Sequence, residues 1–377
     1  MRIALVVPGG VDPPGGERVI PFVHHLVESL VEQHQVTIIA TGHDTEPGEW
    51  SMFGAPVVNL PIGDHGKVDI ARVLYEVPRA IARHGRPQVV HGLWANLPGL
   101  AAVVAARRFR VPSVVSVCGG ELAAVPAIGY GGGLRDGTRR LSLLALRGAT
   151  STTVATEWMR LHVQGAGGRV HEVIPLGADL RHCTVADGTP PRPQHLVHLA
   201  GRNLVKDQDL LLRAFALALH DEPRLTLAIG GGDTLHGHHE RLAAELGIGD
   251  RVEFLGHVPH DQLAPVLAGA ALHVLSSHHD AGPLAVLEAA ACGVPTVGTA
   301  VGHVADFAAM RPPAAVTVPD RRPATLANAF TQVLADRPRR DALARAAQTW
   351  ATRHDAVFTA SAFDQLYRRL AARSTNV

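Results

Sequence analysis

Leu272-His-Val-Leu-Ser-Ser-His-His-Asp280-Ala-Gly-Pro-Leu-Ala-Val-Leu-Glu288-Ala-Ala-Ala-Cys-Gly-Val-Pro-Thr-Val-Gly298 reads as strand, loop, helix and strand. Leu272 to Leu275 is short and apolar, as a buried parallel strand is. Pro283 suits a first helical position, Leu284 to Cys292 is strongly helix-forming, and Gly293 is a stop. The first backbone amides of such a helix, near Gly282 to Ala285, have no intrahelical partner and point outward, which makes a ready site for a diphosphate. Asp280 falls in the loop before the helix, and Glu288, eight positions on, about one and a half turns inside it. One acid can then accept from sugar hydroxyls beside the phosphate and the other from a ribose diol. Taken alone, the pair is equally consistent with a capping Asp and a solvated helical Glu.

A second constellation lies upstream. His195-Leu-Val-His-Leu-Ala-Gly201 reads as a strand, Arg202 and Lys206 follow in the next loop, and Asp207 to Ala218 runs apolar at helical spacing. Two cations therefore stand at a strand's carboxyl end, where open α/β sheets bind ligands. The chain has 35 Lys plus Arg, yet only Lys67 and Lys206 are lysines. A compact ammonium is kept at 206 where Arg serves almost everywhere else. Both cations suit phosphate oxygens.

These residues, taken together, resemble the retaining glycosyltransferases of family 4. Members carry Gly-Arg…Lys at the start of the second domain and Glu-x7-Glu followed by Gly-x-Pro. Here they stand as Gly201-Arg202…Lys206 and Asp280-x7-Glu288…Gly293-x-Pro295. Ile174-Pro-Leu-Gly-Ala-Asp179 is similar to the family's crossing point between domains. The resemblance implies an α/β chain of the GT-B fold, two Rossmann-like doubly wound domains facing a central cleft. It implies transfer of a sugar, with retention, from a UDP- or GDP-sugar to a hydroxyl of a small-molecule or glycan acceptor. Arg202 and Lys206 would be the catalytic cations at the leaving phosphate. Gly15, Gly16, Pro283 and Leu284 would join them in holding that phosphate, Asp280 and Gly282 would meet the donor sugar, and Glu288 the ribose. His91, Cys118 and Glu121 are acceptor-side candidates, although His91 reads equally as a satisfied core histidine and Cys118 more readily as a small buried residue at a strand end. The family departures are Asp280, where Glu is usual, and Cys118, where a His stands in many members. A UDP-sugar 2-epimerase and a non-catalytic nucleotide-sugar-binding relative are the alternatives.

Strand-like runs (Ile3 to Val7, Val36 to Ala40, Val57 to Leu60, Val89 to His91, Val114 to Val117, Thr152 to Ala155) alternate with helical stretches. A second series runs from Leu196 through Leu225 to Gly230, Val252 to Leu255, Leu272 to Leu275, Thr296 to Gly298 and Ala315 to Val318. The expected division is an acceptor-binding domain over 1–183, a linker over 184–194 rich in Pro and Gly, a donor-binding domain over 195–354, and a C-terminal helix over 355–377 packing back on the first domain. Gly15-Gly16-Glu17 is expected to open the first helix.

The 35 cations are balanced by 34 acids, for a net charge of +1, which argues against a polyanionic partner such as nucleic acid. No run approaches 18 apolar residues and the start lacks a leader pattern, so the expectation is a cytoplasmic protein with membrane contact confined at most to its surface. Three widely spaced cysteines fit a reduced compartment. Arg107, Arg108 and Arg110 are expected to close a helix rather than dock a membrane. Asp207-Gln-Asp209 looks like a metal-binding Asp-x-Asp but falls in a helix's first turn, and His236, His238 and His239 lack a second ligand group at zinc spacing. No metal and no other cofactor is expected.

Overall fold

The structure is a computed structural model that describes residues 1–16, 18–61, 67–183 and 194–375. The chain divides into two compact units, residues 1–176 with 356–377, and residues 177–355. The expected linker falls almost wholly outside the described residues, and the first break lies at Leu176–Gly177 rather than at 183.

The first unit contains β1 (Arg2–Val7), α1 (Pro21–Val31), β2 (Gln35–Ala40), β3 (Gly48–Met52), β4 (Ala55–Asn59), α2 (Lys67–Arg83) and β5 (Val89–Leu93). It continues with α3 (Leu97–Phe109), β6 (Ser113–Val117), α4 (Asp136–Gly148), β7 (Ser151–Val154), α5 (Glu157–Gly165) and β8 (Glu172–Val173). Its eight strands lie in the order β3-β4-β2-β1-β5-β6-β7-β8, parallel apart from the β3–β4 hairpin. Both faces are buried. Ile3, Leu5 and Val7 pack with Leu26 and Val27 of α1, whereas Ala4 and Val6 face Val77 of α2 and Ala101 and Ala105 of α3. That two-sided burial is why β1 reads as an unbroken apolar run.

The second unit contains β9 (His195–Leu199), α6 (Gln208–Asp221), β10 (Thr226–Gly230), α7 (His238–Glu245), β11 (Val252–Gly256), α8 (Leu263–Ala268) and β12 (Leu272–Leu275). It ends with α9 (Leu284–Ala291), β13 (Thr296–Thr299), α10 (Gly302–Ala309), β14 (Ala315–Val318), α11 (Pro323–Ala335) and α12 (Arg337–Ala351). The sheet is wholly parallel, in the order β11-β10-β9-β12-β13-β14. Leu196, Leu227, Ile229 and Val274 form its core with Phe215 of α6 and Phe330 of α11.

The last helix, α13 (Ala356–Thr375), belongs to the first unit. Phe363, Leu366 and Tyr367 enter the core beneath β1 and α1.

Every expected strand is present. The sequence reading missed β3, in which only Trp50 and Met52 are large and apolar, and β8, which has two residues. The first helix begins at Pro21, not at Gly15 to Glu17. The chain first makes a turn closed by Gly16 N to Pro13 O (2.9 Å) and a bridge between Val11 and Val19, so proline fixes the helix start. Similarly Pro283 is the residue before α9 rather than its first member.

Candidate active site

In each sheet the connection reverses direction once, next to the first strand of its series: between β1 and β5, and between β9 and β12. Loops at the carboxyl ends of such strand pairs diverge and leave a crevice. Lys206 lies in the loop after β9 and Asp280 in the loop after β12. Across that crevice Lys206 Nζ donates to Asp280 Oδ2 at 2.5 Å. The two loops are further tied by Ser276 Oγ to Lys206 O (2.9 Å) and His278 N to Val205 O (2.7 Å). Sequence positions 74 apart thus meet at the place where parallel sheets bind ligands. Asp280 is engaged rather than open: Ser277 Oγ also donates to Oδ2 at 3.4 Å.

Arg202 is placed differently from Lys206. Its side chain is 7% exposed, pairs with Glu240 at the start of α7, and lies 3.8 Å from Asp233 Oδ2 and over the ring of Phe254. Its Nε has no hydrogen-bond partner among the described residues. The Gly230-Gly231-Gly232 run brings Asp233 there. At Gly231 (φ +144°) an added Cβ would stand 1.9 Å from Ala200 O. That contact forbids any other residue. The run is therefore a close-approach loop beside Arg202.

Helix α9 starts without a side-chain cap. Gly302, at the start of α10, lies against its entry; a Cβ there would be 2.6 Å from Asp280 O and from Pro283 Cδ. The loop from Asp280 through Gly282 to Leu284 is thus fixed from behind by a glycine the sequence reading did not single out. Glu288 is 5% exposed, and burial pushes its carboxyl up to about 7. His260 Nδ1 stands 3.6 Å from Glu288 Oε1.

Asp207 and Asp209 point apart. Asp207 caps α6 through Leu210 N (3.2 Å), pairs with Arg321, and faces His278 at 3.3 Å. Asp209 instead meets His238 and His239. The Asp-x-Asp does not form one chelating pair. Arg321, which also donates to Ser276 O and Ser277 O at 2.9 and 2.8 Å, left no sequence signal among 35 cations.

In the first unit, Gly15 and Gly16 are exposed in the turn after β1. Gly15 has φ +89°, and a Cβ at Gly16 would stand 2.4 Å from Asp12 Cβ. Asp12 holds that turn by accepting from Arg18 N (2.9 Å) and contacting His43 Nε2 (2.7 Å).

Of the two readings open for His91, the core one holds and the acceptor-side one is corrected. His91 is fully buried, with Nδ1 2.6 Å from Tyr367 OH and Nε2 2.7 Å from Ser116 Oγ, so it fastens α13 to the sheet and does not line an acceptor cleft. Burial lowers its pKa to about 3, so the ring is neutral. Glu121 is likewise occupied: Oε1 accepts from Ala95 N and Cys118 N (both 3.0 Å), and Oε2 from Gly119 N (2.7 Å). Burial raises its pKa against those bonds. Cys118 is partly buried, its thiol pushed up by burial and by Glu121, and it donates weakly to Ser116 O at 3.7 Å. It is no thiolate nucleophile.

Of these three, Glu121 borders a cavity of about 320 Å³ lined also by Trp94, Asn96, Tyr130, Arg135 and Thr138, among others. Asn96 Oδ1 is buried without a partner among the described residues. Gly131 (φ +110°) and Gly132 form one wall, where a Cβ would stand 2.1 Å from Ala123 O and 2.3 Å from Glu121 O. The sequence reading missed this pocket; its signals were a Trp-x-Asn after β5 and the glycine run.

Two doubly wound α/β units, the second with a Lys–Asp pair and an uncapped helix start at its switch point, define a class of protein whose parallel sheets take ligands at their strands' carboxyl ends. The sequence comparisons narrow it. Residues 19–177 match the family described as "Glycosyl transferase 4-like domain", and residues 188–350 the family described as "Glycosyl transferases group 1". The chain belongs to the group 1 glycosyltransferases of the GT-B fold.

It is 34% identical over 200 residues to a D-inositol 3-phosphate glycosyltransferase of Salinispora tropica, covering 47% of this chain and 41% of that protein. It is 29% identical over 301 residues to that of Nocardiopsis dassonvillei, covering 70% and 68%. Among solved structures, sucrose-phosphate synthase from Thermosynechococcus elongatus has a TM-score of 0.79 at 21% identity, over 99% of both chains. Anabaena HepE, solved with UDP and glucose, has a TM-score of 0.71 at 18% identity, over 97% of this chain and 98% of that one. Among the described residues, no helix is long and apolar enough to cross a membrane.

Proposed function

We propose that this protein transfers a sugar, with retention of configuration, from a UDP- or GDP-sugar to a hydroxyl of a small-molecule or glycan acceptor. The observation that carries the reading is the contact between Lys206 and Asp280 across the β9/β12 switch point, beside an uncapped helix start. Breaking the anomeric bond puts negative charge on the β-phosphate and positive charge on the ring. Lys206, Arg202 and the amides of Leu284 and its neighbour meet the first. Asp280 then exchanges its ammonium partner for a sugar hydroxyl as Lys206 turns to phosphate, and Glu288 serves the ribose. Gly15 and Gly16 offer phosphate a turn free of side chains.

No side chain is assigned as nucleophile; the leaving phosphate takes the acceptor proton during same-face attack. Cations and helix amides stand where other glycosyltransferases use a divalent ion, so turnover survives EDTA. The cavity beside Asn96 and Arg135 suits a hydroxylated acceptor carrying an anionic group, which agrees with relatives named for inositol 3-phosphate. A cytoplasmic setting fits the three unpaired cysteines.

The test is a panel of UDP- and GDP-sugars scored by protection against thermal unfolding, followed by transfer to phosphorylated and unphosphorylated polyols with the anomer assigned by NMR. Stabilisation by a nucleotide sugar and an acceptor-dependent product of retained configuration are expected. Turnover of donor at C2 with no acceptor would make the protein an epimerase, and binding without any turnover a non-catalytic relative.

A further inference from the structure

Two sequence features that carry nothing separately, the second acid of Asp207-Gln-Asp209 and the His238-His239 pair, meet in the second unit. His238 Nε2 lies 2.9 Å and 3.1 Å from the two oxygens of Asp209, and His239 Nε2 lies 3.4 Å from Asp209 Oδ1. One ligand atom from each of the three residues falls within 4.8 Å of the others. Zinc–nitrogen and zinc–oxygen bonds of about 2.0–2.1 Å at tetrahedral angles set donors roughly 3.3 Å apart, so small side-chain rotations suffice. The second ligand group, invisible at local spacing, comes from the start of α6, 29 residues before His238.

We infer that Asp209, His238 and His239 form a site for a borderline transition ion of the Zn²⁺ class, with water completing the coordination. His239 is 1% exposed; its Nε2 faces the site while its Nδ1 has no partner among the described residues. A carboxylate already bonded to His238 serves this enclosed ring poorly, and an ion on Nε2 serves it better. The surroundings favour a cation: Asp209, Asp233 and Glu240 stand against one guanidinium, that of Arg202. Two imidazoles and one carboxylate select Zn²⁺ over Mg²⁺. The site joins the first turn of α6 to that of α7. Glu240, the next residue of α7, is the partner of Arg202, so a bound ion steadies that pair as well. This assignment does not depend on the donor chemistry proposed above.

The experiment uses the full chain without an affinity tag, stripped with chelator and then dialysed against Zn²⁺ or Mg²⁺, with bound metal and the unfolding temperature measured. Asp209→Asn and His238→Gln change half-exposed side chains and keep the core intact; His220→Gln removes an exposed histidine of α6 as control. One Zn²⁺ per wild-type chain with a raised unfolding temperature is expected, with affinity reduced about ten-fold or more in Asp209→Asn and His238→Gln. His220→Gln should match wild type, and Mg²⁺ should give no shift. Failure of wild type to take up Zn²⁺, or equal affinity in all four proteins, would overturn the site.

Discussion

The two switch points share a topology and differ in what their polar side chains do. At β9/β12 the charged groups face one another across the crevice, as Lys206 and Asp280 do, and Arg202 is held by the acids Asp233 and Glu240. Beside β5 and β6 the acid is spent on the chain itself. Glu121 satisfies three backbone amides, and His91 is locked between Tyr367 and Ser116. One end is chemistry carried by side chains; the other is shape carried by backbone and glycine. Mutations should therefore fail in opposite ways.

The largest expected effect is at the charged end. If Lys206 meets the leaving phosphate as proposed, Lys206→Ala should cost about 2.7–4 kcal/mol, or roughly 10²–10³ in turnover. Its unfolding temperature should move little, because the Lys206–Asp280 pair is partly exposed. Near-wild-type kcat in a folded variant would break the comparison on that side. Glu121→Ala should behave in reverse. It strands one buried and two part-buried donors and destabilises the first unit by about 3 kcal/mol, read as a lower unfolding temperature. Loss of turnover with unchanged stability would instead make Glu121 a catalytic residue.

Tyr367→Phe sharpens the same contrast. It leaves His91 Nδ1 buried and unpaired, at a cost of about 2 kcal/mol. Its kcat should stay near wild type once the protein is folded; a selective kcat loss would return His91 to the acceptor side.

The contrast also explains what was legible in the sequence. Strand runs such as Ile3–Val7 and Leu272–Leu275 are readable because burial on both faces leaves them apolar, apart from His273, which is itself buried. Lys206 and Asp280 stood out as charges in loops after two strands, and the fold brings those two side chains into contact. His91 and Cys118 were left open because a polar residue at a strand end looks the same whether it faces solvent or its own backbone. The cavity at Asn96 and the Asp209–His238–His239 cluster depend on residues that only the fold brings together. Arg321 illustrates the limit: its role comes from reaching Asp207, 114 positions away.

The smallest expected effect concerns Glu288, which belongs to the charged end yet is as buried as Glu121. Among the described residues no backbone amide stabilises its charge in the way three stabilise that of Glu121, and burial lifts it from 4.5 to about 7. A folded-state value above the unfolded one means that the protonated form is favoured in the native protein. Its contribution to stability is full below about pH 4.5 and is lost as pH rises through about 7. Ligand binding should run the other way. If the ionised carboxyl accepts from a ribose diol, the competent fraction grows as pH rises through that value, and affinity for a nucleotide sugar should improve about ten-fold from pH 6 to pH 8. A nucleotide sugar is the right probe because its diphosphate diester does not titrate there, as a free terminal phosphate would. Glu288→Gln keeps the shape and removes the titration, so its affinity should be lower than wild type at pH 8 and flat across the range. A flat wild-type profile, or the same slope in Glu288→Gln, would remove Glu288 from the ribose and leave it a buried acid facing His260.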